Sequence, residues 1–143
     1  MNKKQNKPEM QYHVTVTRRD EAHATAQARQ HTLSLNIKKG DGDAGFNAAE
    51  TLLAALGACI LTNVNSIAAK MRLQIDEARI EFEATRCDEP PALTRISYRL
   101  IVRSPEPEEK LRQLHQLAVK WGTVTNTLIN GLEPAGTLAI KPE

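Results

Sequence analysis

Apolar and polar residues alternate with a period of two over residues 11–18 (QYHVTVTR), 22–29 (AHATAQAR) and 31–37 (HTLSLNI), which predicts three strands in an antiparallel meander. The loop KKGDGDAG follows, and the pattern then changes to that of a long helix from about Asn47 to Met71. Asn47 reads as its N-cap and Glu50 as its third residue, an amide version of the capping box. From Leu52 to Leu61 the helix is apolar on all sides, broken only by Gly57 and small alanines, as in a helix enclosed by other structure. Its second half keeps a single stripe of Ile60, Val64, Ile67, Ala68 and Met71. Alternation returns at 77–87, with Ile80, Phe82 and Ala84 set against charges, and at 94–104, with Ile96, Tyr98, Leu100 and Val102. The DEPPAL run between them is expected to break both strands and so make a long hairpin with one wet face. Pro105 and Pro107 end the second strand, and Glu106, Glu108 and Glu109 favour a helix N-terminus through the backbone dipole. Leu111, Leu114, Leu117 and Ala118 form the buried stripe of that helix. Gly122 ends it, VTNTLINGL adds a short helical turn, and GTLAI (136–140) reads as a terminal strand. The order is three strands, long helix, two strands, helix, strand, with no βαβ repeat, and the fold class is α+β.

Composition narrows the functional classes. A chain of 143 residues makes one domain, set at 11–143 behind a flexible tail at 1–10 in which Lys3, Lys4 and Lys7 are solvated. Aromatics are 3% of residues, so the core is built from Leu, Ile, Val and Ala, and stacking platforms for bases are nearly missing. Nineteen basic against 17 acidic residues leave a net charge of +2, too little for a polyanion field, so no nucleic-acid partner is expected. The opening MNKKQNKPEM has no signal-peptide core, and no run is read as approaching the roughly 18 apolar residues of a membrane span. A soluble, cytoplasmic protein without a membrane partner is expected. Cys59 and Cys87 are then reduced by default, and without CxxC, HExxH or clustered His/Cys spacings no metal or cofactor is expected.

The residue with the most chemical potential is Cys59, about three turns into the apolar helix. Loss of hydration there disfavours a thiolate unless a cation approaches, so a reactive Cys59 needs an arginine or lysine from elsewhere, and without one it is an inert core thiol.

FNAAETLLAALGAC with the following ILTNVNSIAAKM resembles the central-helix motif of the OsmC/Ohr family of osmotically induced and organic-hydroperoxide-resistance proteins, and the element order agrees across roughly residues 11–141. The resemblance implies antiparallel sheets wrapped around a long central helix, and an interwoven homodimer with the thiols at the subunit interface. It places Cys59 on the family's peroxidatic cysteine. It also implies that this thiolate attacks the O–O bond of an organic hydroperoxide and that the product is reduced by a thiol or dithiol. In the family an arginine activates the thiol and an acidic residue holds the arginine; Arg19, next to Asp20, and Glu50 stand nearest those places, with Arg18, Arg29, Lys38 and Lys39 as other cations.

Three departures from the family pattern bear on this. Gly122, in WGTVTNTL, stands where the resolving cysteine belongs, and Cys87, on a different strand near the DEPP turn, does not substitute for it. Ala48 replaces the usual proline. The first acidic position is Ala49, which leaves Glu50 one residue late and on roughly the opposite helix face from Cys59, where it serves as a cap or as the acidic partner. Trp121 and Tyr98 are expected to anchor the core or an interface. Two functions follow: a stress protein that reduces organic hydroperoxides through Cys59 with an external thiol reductant, or a non-catalytic dimer of the same fold that binds an apolar ligand at the subunit interface.

Overall fold

A computed structural model of the chain describes residues 9–142, so the basic tail at Lys3, Lys4 and Lys7 lies outside the described residues. The chain forms two compact units, the first ending at Thr51 and the second beginning at Leu52.

The first unit is a three-stranded antiparallel sheet of β1 (Thr15–Arg18), β2 (His23–Ala28) and β3 (His31–Asn36), in that spatial order. The β2–β3 turn is two residues long, with Arg29 in the left-handed region at φ 56°, and it pairs Ala28 with His31. That tight turn shortens β1 from the expected 11–18. Thr15 pairs with Gln27, so residues before Val14 would run past the end of β2. Asn36 is buried and organises the loop that follows. Its backbone N–H donates to Phe46 O at 2.9 Å, its side-chain amide donates to the carbonyls of Asp41 and Gly45, and its Oδ1 accepts from Lys38 N at 2.8 Å. Inside this loop Gly42–Ala44 makes a 3-10 turn, capped by Asp41.

The loop delivers α1 (Ala48–Met71), and the capping box is formed in full: Glu50 N–H donates to Asn47 Oδ1 at 2.8 Å, and Asn47 N–H donates to Glu50 Oε1 at 3.1 Å. The second unit packs α1 against a hairpin of β4 (Glu77–Asp88) and β5 (Pro91–Arg103), and against α2 (Glu108–Lys120) and α3 (Thr123–Asn130). Its core is the i, i+4 stripe Leu56, Ile60, Val64 and Ala68 with Leu114 and Ala118, flanked by Ile80, Phe82, Ile96, Tyr98 and Leu100 from the inner face of the hairpin.

Several expectations need correction. DEPPAL does not break both strands, because only Glu89 and Pro90 form the turn and β5 already begins at Pro91, the first residue of a strand being a place where proline is tolerated. TVTNTLIN (Thr123–Asn130) forms a helix of eight residues, α3, with Gly122 as its N-cap. GTLAI forms no strand: it has no ladder partner among the described residues, and Leu138 and Ile140 are more than four-fifths exposed. Nor is α1 enclosed from Leu52 to Leu61 by its own chain. Leu56, Gly57 and Ile60 are buried, whereas Leu52, Ala54, Ala55 and Ala58 are exposed. Contrary to the sequence reading, α1 is by length and composition long and apolar enough to cross a membrane; the polar residues Thr62, Asn63 and Asn65 interrupt the run without making its average polar. Trp121 is 66% exposed under the Lys120 ammonium, so it does not anchor this core, whereas Tyr98 packs against it.

Candidate functional site

Close packing sets the position of Cys59. Two residues before it, Gly57 lets the hairpin approach α1, since a Cβ there would meet Phe82 Cε2 at 3.0 Å and Ile80 Cγ2 at 3.2 Å. One turn after it, Asn63 donates its side-chain N–H to Ala118 O at 3.0 Å, satisfying one of the last carbonyls of α2 and tying α1 to the end of that helix. The chain then turns within two residues, Trp121 and Gly122, into α3.

This turn brings Gly122 over the thiol. Gly122 is buried, and a Cβ built on it would lie 3.1 Å from Cys59 Sγ and 2.7 Å from Thr125 Oγ1. The absence of a side chain lets the Gly122 backbone pack directly against a half-buried sulfur and a hydroxyl whose oxygen is buried without a hydrogen-bond partner. Gly122 is therefore next to Cys59 in space, although 63 positions separate them in the chain. Thr125 also lines an apolar pocket of about 240 Å³ with Leu56, Ile60, Tyr98, Leu128 and Ile129 among its walls. Thr125 thus stands both against the Gly122 backbone that packs on the sulfur and in the wall of an apolar pocket of a kind that can hold an organic group.

Tyr98, on another wall of this pocket, shares a 2.7 Å hydrogen bond with His115 Nε2, and burial pushes its hydroxyl pKa up. Cys87 is free and lies at the far end of the hairpin, where its S–H donates to Pro90 O at 3.3 Å. Among the described residues no group of three His, Cys, Asp or Glu side chains is placed to hold a metal ion.

The other residues selected from sequence lie in the first unit. Glu50 is engaged in the helix cap. Arg19 is in the β1–β2 turn, its Nε donating to Thr25 Oγ1 at 3.2 Å, and it is exposed. Arg18 ends β1, Arg29 is at a hairpin tip, and Lys38 and Lys39 lie in the loop after β3. Thr125 was missed by sequence reasoning. Its one local signal is its place three residues after Gly122, which becomes informative only once Gly122 is known to lie against Cys59.

Residues 40–134 match the family model for OsmC-like proteins. The chain is 24% identical over 121 residues to the hydroperoxide reductase of Mycoplasma genitalium, covering 82% of this chain and 86% of that protein. Among solved structures, it resembles an OsmC-like protein from Mycoplasma pneumoniae with TM-score 0.78 and 22% identity, over 85% of this chain and 89% of the other. It also resembles the organic hydroperoxide resistance protein OhrB of Bacillus subtilis, with TM-score 0.58 and 18% identity, over 82% and 90%.

Proposed function

Because this chain belongs to the OsmC-like protein family, we propose that it is a stress protein that reduces organic hydroperoxides through Cys59 with an external thiol. The observation that carries the proposal is the setting of the sulfur: a half-buried thiol on α1 packed under Gly122, whose close neighbour Thr125 lines an apolar pocket. The thiolate's electron pair forms an S–O bond to the distal peroxide oxygen while the O–O bond breaks. The alkoxide leaves and takes a proton from solvent, and Cys59 becomes a sulfenic acid. An external thiol then attacks the sulfur, releasing water and leaving a mixed disulfide, which a second thiol reduces. With glycine at 122 that first thiol comes from outside the chain, and a reducing compartment such as the cytoplasm would supply it.

The remaining assignments are proposals of the same reading. Arg19 is assigned as the activating cation and Glu50 as its acidic partner. The exposed apolar positions Leu52, Leu128, Ile129, Leu138 and Ile140 support an interwoven homodimer, in which a second copy would cover them. The second reading, a non-catalytic dimer that binds an apolar ligand, is favoured by one observation: neither free thiol has the other as a resolving partner, since Cys87 lies at the hairpin end.

Whole-protein mass spectrometry separates the two. After brief exposure to cumene hydroperoxide or hydrogen peroxide with a sulfenic-acid trap, the peroxidase reading expects rapid oxygen addition at Cys59, faster with the organic peroxide. The product is lost in Cys59→Ser and kept in Cys87→Ser. Native mass retained at Cys59 would sink the enzyme reading and favour the binding protein.

A further inference from the structure

Trp121 is the single tryptophan of the chain and stands 66% exposed at the end of α2, although an indole gains more from burial than most side chains. It lines a groove of about 450 Å³ between α1 and α2, within the size range of small-ligand sites. Leu117 and Trp121, one turn apart on α2, form one bank, and Ile67 and Met71, one turn apart on α1, form the other. The Asn63 hydrogen bond to Ala118 O ties the two helices together here, so packed helices set the groove and not a loop. Two ammonium groups belong to it: Lys70 lines it, and Lys120 Nζ sits 5.4 Å from the centroid of the Trp121 ring. Each lysine lies in the last turn of its helix, and a full positive charge outweighs the roughly half negative charge of a helix C-terminus. No carboxylate lines the groove, and among the described residues neither lysine is ion-paired. An apolar trough with cations at its edge and no acid complements an aliphatic chain that ends in an anion.

We propose that the groove between α1 and α2 binds a free aliphatic carboxylate, its chain laid along Ile67, Met71, Leu117 and Trp121 and its carboxylate held by Lys70 and Lys120. Cys59 does not line this groove, so the inference stands apart from the peroxidase reading. The chain supplies most of the affinity, because each methylene taken from water strengthens binding about fourfold. The lysines supply the choice of headgroup: an exposed ion pair is worth up to about fivefold in affinity, and salt screens it. Their long apolar stems extend the walls while the ammonium groups stay in water.

The test titrates the full-length protein with monomeric decanoate and reads the emission of Trp121, which reports on this groove because the chain has no other tryptophan. Decanol and decyltrimethylammonium are the neutral and cationic counterparts of the same chain, and calorimetry measures total binding. Decanoate shifts the emission to the blue and saturates, and octanoate, two methylenes shorter, binds about tenfold more weakly. The double variant Lys70→Gln, Lys120→Gln weakens decanoate about tenfold and leaves decanol unchanged, and both lysines are exposed, so the fold is kept. Ser66→Phe, also at an exposed position, fills the groove and abolishes the shift. No saturable shift with decanoate overturns the inference, as does decanoate binding that the lysine variant leaves unchanged. Calorimetric binding without a change at Trp121 assigns the amphiphile to another cavity and overturns it. Emission that shifts on dilution of the protein alone assigns the groove to a second copy of the chain, and a response to anionic phospholipid vesicles without one to decanoate assigns it to a membrane surface; either overturns it. None of these results bears on Cys59, whose oxidation is measured separately.

Discussion

Gly122→Cys tests the spatial relation between positions 59 and 122 directly, whatever the natural chemistry is. In a disulfide each Cβ lies about 3 Å from the far sulfur, given an S–S bond of about 2.05 Å. A Cβ at 122 would lie 3.1 Å from Cys59 Sγ. The backbone there, at φ −81° and ψ 125°, is open to any residue. The obstacle is Thr125 Oγ1 at 2.7 Å, so that side chain must turn aside; an off-rotamer displacement costs about 1 kcal/mol. Bridging the two positions closes a loop of about 60 residues, and in the chain-entropy model this stabilises by about 4 kcal/mol. The surplus of about 3 kcal/mol corresponds to a rise in Tm of about 10 °C for a chain of this size. The assay uses a Cys87→Ser background: thiols are counted before and after mild oxidation of the native protein, and melting is followed with and without reductant. The expected result is loss of both thiols together and a Tm that falls by about 10 °C on reduction. Thiols that remain free until the protein is unfolded, or a bridge that lowers Tm, would refute the placement of Gly122 over Cys59.

Three further outcomes follow from the same packing. Asn47→Ala removes the acceptor for Glu50 N–H and is expected to cost about 1 kcal/mol in urea unfolding; Glu50→Gln keeps a capping side chain, so unchanged stability with lost peroxide turnover would assign its charge to chemistry, and no change in either would leave it a cap. Gly57→Ala puts a methyl group 3.0 Å from the Phe82 ring and is expected to destabilise by about 1–3 kcal/mol through overpacking, with an unshifted unfolding midpoint as the contrary result. The Asp20 carboxyl is held below its ordinary 3.8 by the Ala22 backbone N–H first and then by His23, so in NMR titration its midpoint should lie below that value. The sign of the linkage is that the turn's stabilisation is present at neutral pH and lost as pH falls through the folded-state midpoint; a midpoint at or above 3.8 would contradict the turn geometry.

Much of the fold was legible because its signals are local. The Asn47–Glu50 capping box, the alternation in β4 and β5 and the Leu111, Leu114, Ala118 stripe of α2 each depend on residues within a turn or two, and the structure forms them all. Errors came where alternation had to imply a partner. GTLAI has the pattern of a strand, but a ladder needs a neighbouring edge, and the described residues provide none. The apolar run of α1 reads as enclosed by other structure; its own unit buries Leu56, Gly57, Ile60, Val64 and Ala68, and cover of the rest is what the proposed second copy would supply.

The sequence alone determined that this is an α+β chain with a single thiol on an apolar helix, because residue identity and near-neighbour spacing carry that information. Only the tertiary structure decided what surrounds the sulfur. Close packing at Gly57 and the Asn63 hydrogen bond to α2 set where α1 lies, and the two-residue link to α3 lowers Gly122 and Thr125 onto Cys59. The close approach of Gly122 to the sulfur, with an unsatisfied hydroxyl beside it, is a product of three helices meeting, and no periodicity along one of them encodes it.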